Sequence, residues 1–319
     1  MESIPDISHI REAHDRILPQ IHVTPVLTCE SLNELTGADL FFKCENMQKV
    51  GAFKFRGASN AVLTLAKADA SAGVVTHSSG NHAAALALAA KRRGIKAYIV
   101  MPRNAPAVKI AAVKKYGGLI TLCGPTLEAR ESTADAIIAD TGAVFIHPYN
   151  DYRIIAGQGT AALELLDVVE DLEYLFAPVG GGGLLSGTAI SAKSINPSVK
   201  VIGCEPQNAD DAYHSFKTGK IVPSVNPDTI ADGLKTSLGD KTFDIIRKYV
   251  DDIVPVGEQE IVNAMQLIYE RMKIVVEPSS SVVLAAALSG KLDLGGKKAG
   301  LILSGGNVDM SQFFSSLLD

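Results

Sequence analysis

Cysteine is scarce in this 319-residue sequence: Cys29, Cys44, Cys123 and Cys204 stand far apart, with no C-x-x-C pair. That spacing argues against a disulfide framework and a clustered zinc site, so the thiols are expected to be reduced and partly buried. Positive charge is also in deficit. Lysine and arginine total 30 against 35 aspartates and glutamates, a formal net charge of −5, which leaves no electrostatic footprint for nucleic acid or anionic lipid. The longest apolar run, Ala83 to Ala90, falls far short of the roughly 20 residues that cross a bilayer. The opening MESIPDISHIREAHDRI carries acids and no apolar segment, and the expectation is a cytoplasmic protein. Fixed-period repeats, low-complexity tracts and charge blocks are missing as well, which excludes a solenoid or a disordered tail.

What is present is the composition of a folded globular chain, 47% hydrophobic and 20% charged, so its organisation must lie in periodicity. Residues 73–76, 97–101, 119–122 and 143–146 read as strands, with helices over 83–93, 107–116 and 127–141 between them. The pattern resumes with helix 157–169, strand 174–179, helix 184–194, strand 200–204, helices 258–273 and 279–288, and strand 299–303. This alternation predicts an α/β protein with parallel strands and crossover helices, wound as two sheets rather than one. Between Asn208 and Val256 the signals weaken, and Pro223, Pro227 and Gly239 predict irregular structure there.

Three constellations invite chemistry. In Val50-Gly51-Ala52-Phe53-Lys54-Phe55-Arg56-Gly57-Ala58 a lone lysine sits between two phenylalanines. Aromatic flanks lower the local dielectric, disfavour the ammonium and make the amine a nucleophile for a carbonyl carbon. From this segment alone a surface lysine whose stem covers an aromatic patch is the plainer reading. Thr76-His77-Ser78-Ser79-Gly80-Asn81-His82 lies between a predicted strand and helix, where free N–H groups, hydroxyls and an amide suit a carboxylate. A simple helix cap by Ser79 or Asn81 is the alternative, and neither His77 nor His82 is assigned a catalytic role. Gly180-Gly181-Gly182-Gly183 follows a strand and opens a helix, a backbone nest for a phosphate. Leu185 or Ser186 stands where a dinucleotide fingerprint needs its last glycine, and G-G-L-L-S-G-T lacks the P-loop lysine.

Two further loops follow apolar strands. Leu303-Ser304-Gly305-Gly306-Asn307-Val308-Asp309 would let a flat ligand approach the backbone. Ser304 at a ring nitrogen would not force a pyridine to hold its proton; a capped turn reads equally from this segment. Glu205-Pro206-Gln207-Asn208-Ala209-Asp210-Asp211 offers oxygen ligands suited to a hard cation, or is a solvated acidic loop.

Taken in chain order, G-A-F-K-F-R-G-A, S-S-G-N-H, G-G-G-G-L-L-S-G, E-P-x-N-A-D-D and L-S-G-G-N-V-D resemble the fold-type II pyridoxal-phosphate enzymes. Within them the likeness is to the serine/threonine dehydratase family that includes the serine racemases, and it runs from about Ile10 to Asp309. Thr24-Pro25-Val26-Leu27, Phe41-Phe42-Lys43-Cys44-Glu45, Ile155-Ala156-Gly157-Gln158-Gly159-Thr160 and Ile230-Ala231-Asp232-Gly233 add to it. The resemblance implies the tryptophan synthase β-like architecture: a small α/β domain of about residues 75–149 inserted in a larger domain formed by residues 1–74 and 150–319, with the cofactor between them.

The same resemblance implies site roles. Lys54 would join pyridoxal phosphate as an imine and serve as base, Phe53 would pack beside the ring, and Asn81 would bond its phenolic oxygen. Gly180, Gly181, Gly182 and Gly183 would hold the phosphate, and Ser304 would face the pyridine nitrogen. Ser78, Ser79, Gly80 and Asn81 match the positions that bind a substrate carboxylate. Glu205, the Ala209 carbonyl and Asp211 match a divalent-cation site for Mg²⁺ or Ca²⁺, with Mn²⁺ a further candidate.

The implied activity is serine racemisation, with Ser79 as the second acid and serine dehydration to pyruvate and ammonia as its competitor. A dehydratase acting on threonine, serine or 3-hydroxyaspartate is the nearest alternative; many carry alanine where this chain has Ser79. A non-catalytic metabolite sensor is a reading from another class. The chain ends soon after Asp309, leaving no room for a C-terminal regulatory domain. Animal serine racemases continue S-S-G-N-H with Gly-Gln, whereas Ala83 and Ala84 stand here in the manner of plant-type members. ATP activation is therefore doubtful, although Lys49 and Tyr116 occupy positions compatible with it. Family members are commonly homodimers, and one is expected here.

Overall fold

The computed structural model describes residues 3–309 of the chain. Asp6 accepts hydrogen bonds from the Ser8 and His9 N–H groups and so starts helix α1 (Ile7–Ile17). Strand β1 (Val26–Leu27), helix α2 (Glu30–Thr36) and strand β2 (Asp39–Cys44) follow, then α3 (Lys54–Leu63) and α4 (Lys67–Ala72). A second unit begins with β3 (Val74–His77) and runs through α5 (Asn81–Arg93), β4 (Ala97–Pro102), α6 (Ala107–Lys115), β5 (Leu119–Cys123), α7 (Leu127–Thr141) and β6 (Val144–Phe145). The chain then returns through α8 (Tyr152–Val168), β7 (Tyr174–Pro178), α9 (Gly183–Ile195), β8 (Lys200–Pro206), α10 (Asp211–Thr218), α11 (Asp240–Tyr249), β9 (Asp252–Val256), α12 (Glu258–Leu267), α13 (Pro278–Leu288) and β10 (Lys298–Leu303).

Two sheets result, as the alternation predicts. The larger has the order β1-β2-β10-β7-β8-β9 and is parallel except for the β1–β2 pair; the smaller, β5-β4-β3-β6, is parallel throughout. Every residue of β7 is buried, as is all of β10 after its first, the signature of central parallel strands covered on both faces. One core cluster packs Phe42, Phe176 and Leu301 against Val282 and Leu284 of α13, and another packs Leu175, Val201 and Ile302 against Leu185 and Ala189 of α9.

The stretch expected to be irregular is only partly so. Prolines confine the loop to about residues 219–239, whereas Gly239 is the N-cap of α11 and not a break. Thr242, Ile245 and Ile246 then form its buried face. Pro255 is accommodated in β9 because that strand lies at the sheet edge. Helix α8 starts five residues before the expected 157, capped by Asp151, whose side chain accepts the Arg153 N–H. The helix expected to reach Lys273 turns into a π-helix over Ile268–Met272.

Two packing devices fix the helix that carries Lys54. Glycines let α3, α8 and α9 touch backbone to backbone: a Cβ on Gly157 would lie 2.6 Å from Gly57 Cα, and one on Gly159 would lie 2.8 Å from the Gly187 carbonyl oxygen. Beneath them lies a buried ionic network. Arg56 donates to Glu45 at 2.7 Å and to Glu164 at 2.7 Å, and Lys43 donates to Glu164 at 2.6 Å. Burial alone would raise the Glu164 pKa, but His14, Arg56 and Lys43 hold it well below the carboxylate range.

Candidate active site

The predicted site residues lie at or beyond the C-terminal ends of parallel strands, Phe53 and Lys54 after β2 and the others at the ends of β3, β7, β8 and β10. Lys54 is the first residue of α3. Its loop is tied to the end of β10: Phe53 N donates to the Ser304 carbonyl at 2.9 Å, Gly306 N donates to the Gly51 carbonyl at 2.9 Å, and Ala52 bridges Gly305. Val50, just before it, adopts φ 58°, a left-handed conformation that strains a β-branched residue.

The Lys54 ammonium is partly buried, lies 5.1 Å from the centre of the Phe53 ring and donates to the Pro148 carbonyl at 2.9 Å. Desolvation pulls its pKa down to about 8, against the opposing pull of Glu277. A lysine so placed has a substantial neutral fraction at mild alkaline pH and can attack a carbonyl carbon. The turn carrying Pro148 is shaped by His147, whose Nδ1 accepts the N–H groups of Tyr149 and Asn150. Burial pushes the His147 pKa down to about 4, keeping it a neutral acceptor.

The Ser78-Ser79-Gly80 turn joins β3 to α5, with Gly80 as N-cap and no side-chain cap. Neither Ser79 nor Asn81 serves as the helix cap; the Gly80 N–H donates to Ser78 Oγ at 3.4 Å, and among the described residues the Asn81, His82 and Ala83 N–H groups find no acceptor. Asn81 instead points its amide away: Nδ2 donates to Glu277 Oε1 at 2.9 Å, and Oδ1 accepts from Asn307 Nδ2 at 2.9 Å. His82 is buried, with Nε2 facing the Ile146 carbonyl, and burial holds it neutral.

Gly180, Gly181, Gly182 and Gly183 are all buried, and among the described residues none of their N–H groups finds a protein acceptor. Buried backbone donors are almost always satisfied, so four in succession fit an anion with several oxygens. Only glycine suits this cradle. A Cβ on Gly181 would lie 2.3 Å from the Tyr149 ring, and Gly182 adopts φ +86°. The Tyr149 hydroxyl pairs with Thr236 Oγ1 at 3.1 Å. Ser304 is 3% exposed and sits on the Lys54 loop. The amine, the phosphate-sized nest and this hydroxyl therefore fit pyridoxal phosphate.

The acidic loop after β8 adjoins the glycine loop, since Val179 N donates to the Cys204 carbonyl at 2.9 Å. Glu205 accepts the N–H groups of Ala212 at 2.9 Å and Tyr213 at 2.8 Å. Both Asp211 carboxylate oxygens are buried without a hydrogen-bond partner; Ser224 faces them but does not reach bonding geometry. Burial raises Glu205 to about 9 and Asp211 to about 6. Ala209 lies between them in a short 3₁₀ turn. Among the described residues no cluster of three His, Cys, Asp or Glu side chains forms, so a cation here would draw on two carboxylates, a carbonyl and water.

Sequence reasoning missed Glu277, Tyr149 and the Pro148 carbonyl. Glu277-Pro278 carried a signal for a helix start, with proline at the first helical position. Nothing local marked Tyr149 or Pro148, because each acts through contacts with residues distant in sequence.

With this geometry in place, the likeness to known proteins is informative. Residues 17–305 match the pyridoxal-phosphate dependent enzyme family. A serine racemase of Arabidopsis thaliana is 54% identical over 316 residues, covering 98% of this chain and 96% of that protein. A beta-hydroxyaspartate dehydratase of Paracoccus denitrificans is 50% identical, covering 97% of this chain and 98% of that protein. The solved structure of maize serine racemase superposes with a TM-score of 0.97 at 49% identity, over 99% of this chain and 98% of that one. The chain belongs to the pyridoxal-phosphate-dependent enzymes of fold type II.

Proposed function

We propose that this enzyme interconverts L- and D-serine and, from the same bound substrate, eliminates the β-hydroxyl to give pyruvate and ammonia. One observation supports the reading: Lys54, on the loop tied to β10, and Ser79, beyond the end of β3, lie at strand ends of different sheets. The similarity to serine racemases along the whole chain supports it.

Pyridoxal phosphate, when bound, supplies the electron sink for the charge left at Cα after proton removal. The chain does the rest. Gly180 to Gly183 would hold the phosphate, Phe53 would pack beside the ring, Asn81 would bond the ring oxygen, and Ser304 would meet the ring nitrogen without forcing a proton onto it. The Ser78-Ser79-Gly80-Asn81 turn would bind the substrate carboxylate with its hydroxyls and with the N–H groups of Ser79 and Asn81, since those of Ser78 and Gly80 donate to the Val100 carbonyl and Ser78 Oγ. Lys54 removes the Cα proton from one face, and the Ser79 hydroxyl returns a proton on the other, inverting the centre. Both carriers are needed for racemisation, whereas elimination needs only the first. Replacing Ser79 with Ala tests this: D-serine formation should fall far more than pyruvate formation, and equal retention of both would refute the second-acid role.

Glu205, the Ala209 carbonyl and Asp211 form a divalent-cation site in this reading, for Mg²⁺, Ca²⁺ or Mn²⁺. The partnerless buried carboxylate of Asp211 supports it. ATP is not proposed as an activator: Lys49 is engaged with the Gln20 carbonyl at 2.5 Å, and Ala83 and Ala84 are buried. We assign residues 75–149, which hold all but the first residue of the four-stranded sheet, to a small domain and residues 1–74 and 150–319 to a large one. A cytoplasmic homodimer completes the reading. Among the described residues no helix is long and apolar enough to cross a membrane, and size-exclusion chromatography tests the dimer. The dehydratase alternative rests on the Paracoccus relative, and the product ratio from L-serine separates the two.

A further inference from the structure

Glu277 is 5% exposed and caps α13, yet among the described residues no cation forms an ion pair with it. Its carboxylate takes the Asn81 amide at both oxygens, 2.9 and 3.1 Å from Nδ2. Its backbone N–H donates to the Gly305 carbonyl at 3.0 Å, beside Ser304 and across from Ala52. A Cβ on Gly305 would lie 2.7 Å from Glu277 Oε1, so a side chain there would displace the Glu277 carboxylate.

The polarity of this cluster is fixed from its far end. The Val50 carbonyl can only accept, and it takes a hydrogen bond from Asn307 Nδ2 at 2.7 Å. The same Asn307 amide donates to Asn81 Oδ1 at 2.9 Å. The Asn81 atom facing Asn307 must therefore be its oxygen, and its NH₂ group must face Glu277. An asparagine alone is free to flip; this one is held by an acceptor on one side and a donor on the other.

We propose that Glu277 is a positioning residue: its carboxylate fixes which end of the Asn81 amide carries NH₂ and engages one of its hydrogens, so that the other is available as a donor to the cofactor's ring oxygen before the cofactor arrives. This rests on the reading of Asn81 as a cofactor contact. The contact also joins α5, beside the four-stranded sheet, to α13, beside the six-stranded one, so the same bond sets the position of Asn81 across the cleft.

The groups facing Glu277 are Lys54 from α3, Lys109 from α6 and Asp232 from the 232–234 turn, the last two ion-paired with each other. Burial pushes the Glu277 pKa up to about 7, with Asn81 opposing the rise. Its carboxylate is therefore gaining a proton as pH falls through neutrality. The charge-assisted bond to Asn81 weakens in that direction.

A double-mutant cycle on the full chain tests the proposal, with pyridoxal phosphate affinity measured by absorbance titration of the apoprotein. Glu277→Gln keeps an acceptor oxygen but loses the charge, and should weaken affinity by about three- to tenfold at pH near 8. Asn81→Ala should weaken it by about tenfold or more, and the double variant should match Asn81→Ala within about twofold. Of the fall in affinity as pH drops, the part centred near 7 should be absent from Glu277→Gln, which should keep only the part centred near 8 that Lys54 imposes. Multiplying effects of the two substitutions, or an unchanged Glu277→Gln, would overturn the proposal; the first would mean that Glu277 acts on Lys54 by charge alone. Should Asn81→Ala not fold, Asn81→Ser replaces it with the same expectations. A wild-type chain that takes up no cofactor would sink the underlying reading instead, which separates the two failures.

Discussion

Replacing Gly157 with Ala should expose how closely the helix carrying Lys54 is packed. The added methyl would lie 2.6 Å from Gly57 Cα, 2.9 Å from the Arg56 carbonyl oxygen and 2.9 Å from Asn60 Cβ. Two of the three are backbone atoms of α3, so the strain can be relieved only by moving that helix. Alanine gains about 1 kcal/mol of helix propensity over glycine, and overpacking of this kind costs about 1–3 kcal/mol or more. With contacts this short the upper end applies, and the net result should be a loss of about 2 kcal/mol. Urea denaturation followed by circular dichroism measures it. Gly295→Ala is the matched control, since its nearest neighbour would be Asp293 Oδ1 at 3.5 Å, and it should stay within about 0.5 kcal/mol of wild type. Because Lys54 is the first residue of α3, the Gly157 variant should also lose turnover by about a hundredfold for a shift of about 1 Å. A Gly157→Ala protein as stable and as active as wild type would refute the helix-contact argument.

Other expectations follow from the site. Lys54→Ala should abolish both turnover and the visible absorbance of the bound cofactor. Only a neutral amine attacks a carbonyl carbon, so the rate at which apoprotein takes up pyridoxal phosphate should rise as pH rises through about 8, the Lys54 pKa; stopped-flow absorbance reads it, and a rate independent of pH would contradict the desolvated amine. EDTA should lower the melting temperature or the turnover, with Mg²⁺ or Ca²⁺ restoring it; indifference to both would return the Glu205–Asp211 loop to an acidic turn. Gly181→Ala should prevent cofactor binding, because its methyl would meet the Tyr149 ring at 2.3 Å.

Much of this architecture is legible in the sequence because hydrophobic periodicity is local. The seven expected strands correspond to β3 to β8 and β10, and the ends of four of them hold the expected site residues other than Phe53 and Lys54, which follow β2. The segments that escaped are those whose identity depends on partners. Strand β9 contains a proline that reads as a breaker, and only its place at the sheet edge makes it tolerable. The first five residues of α8, 152–156, also escaped, since the helix start is set by the Asp151 cap, while Gly157 and Gly159 lie inside the expected helix and serve its contacts with Gly57 and Gly187. Within the site, Lys54 and the tetraglycine run announce themselves through unusual neighbours in the chain. Glu277 does not: its role exists only where residues 81, 277, 305 and 307 converge.

The most direct measurement is incubation of the cofactor-loaded enzyme with L-serine while D-serine and pyruvate are assayed together. Both products should form in the wild type, and both should vanish with Lys54→Ala. Turnover that survives that replacement, or a wild-type enzyme that yields neither product, would contradict the assignment of Lys54 as the base acting at the serine α-carbon.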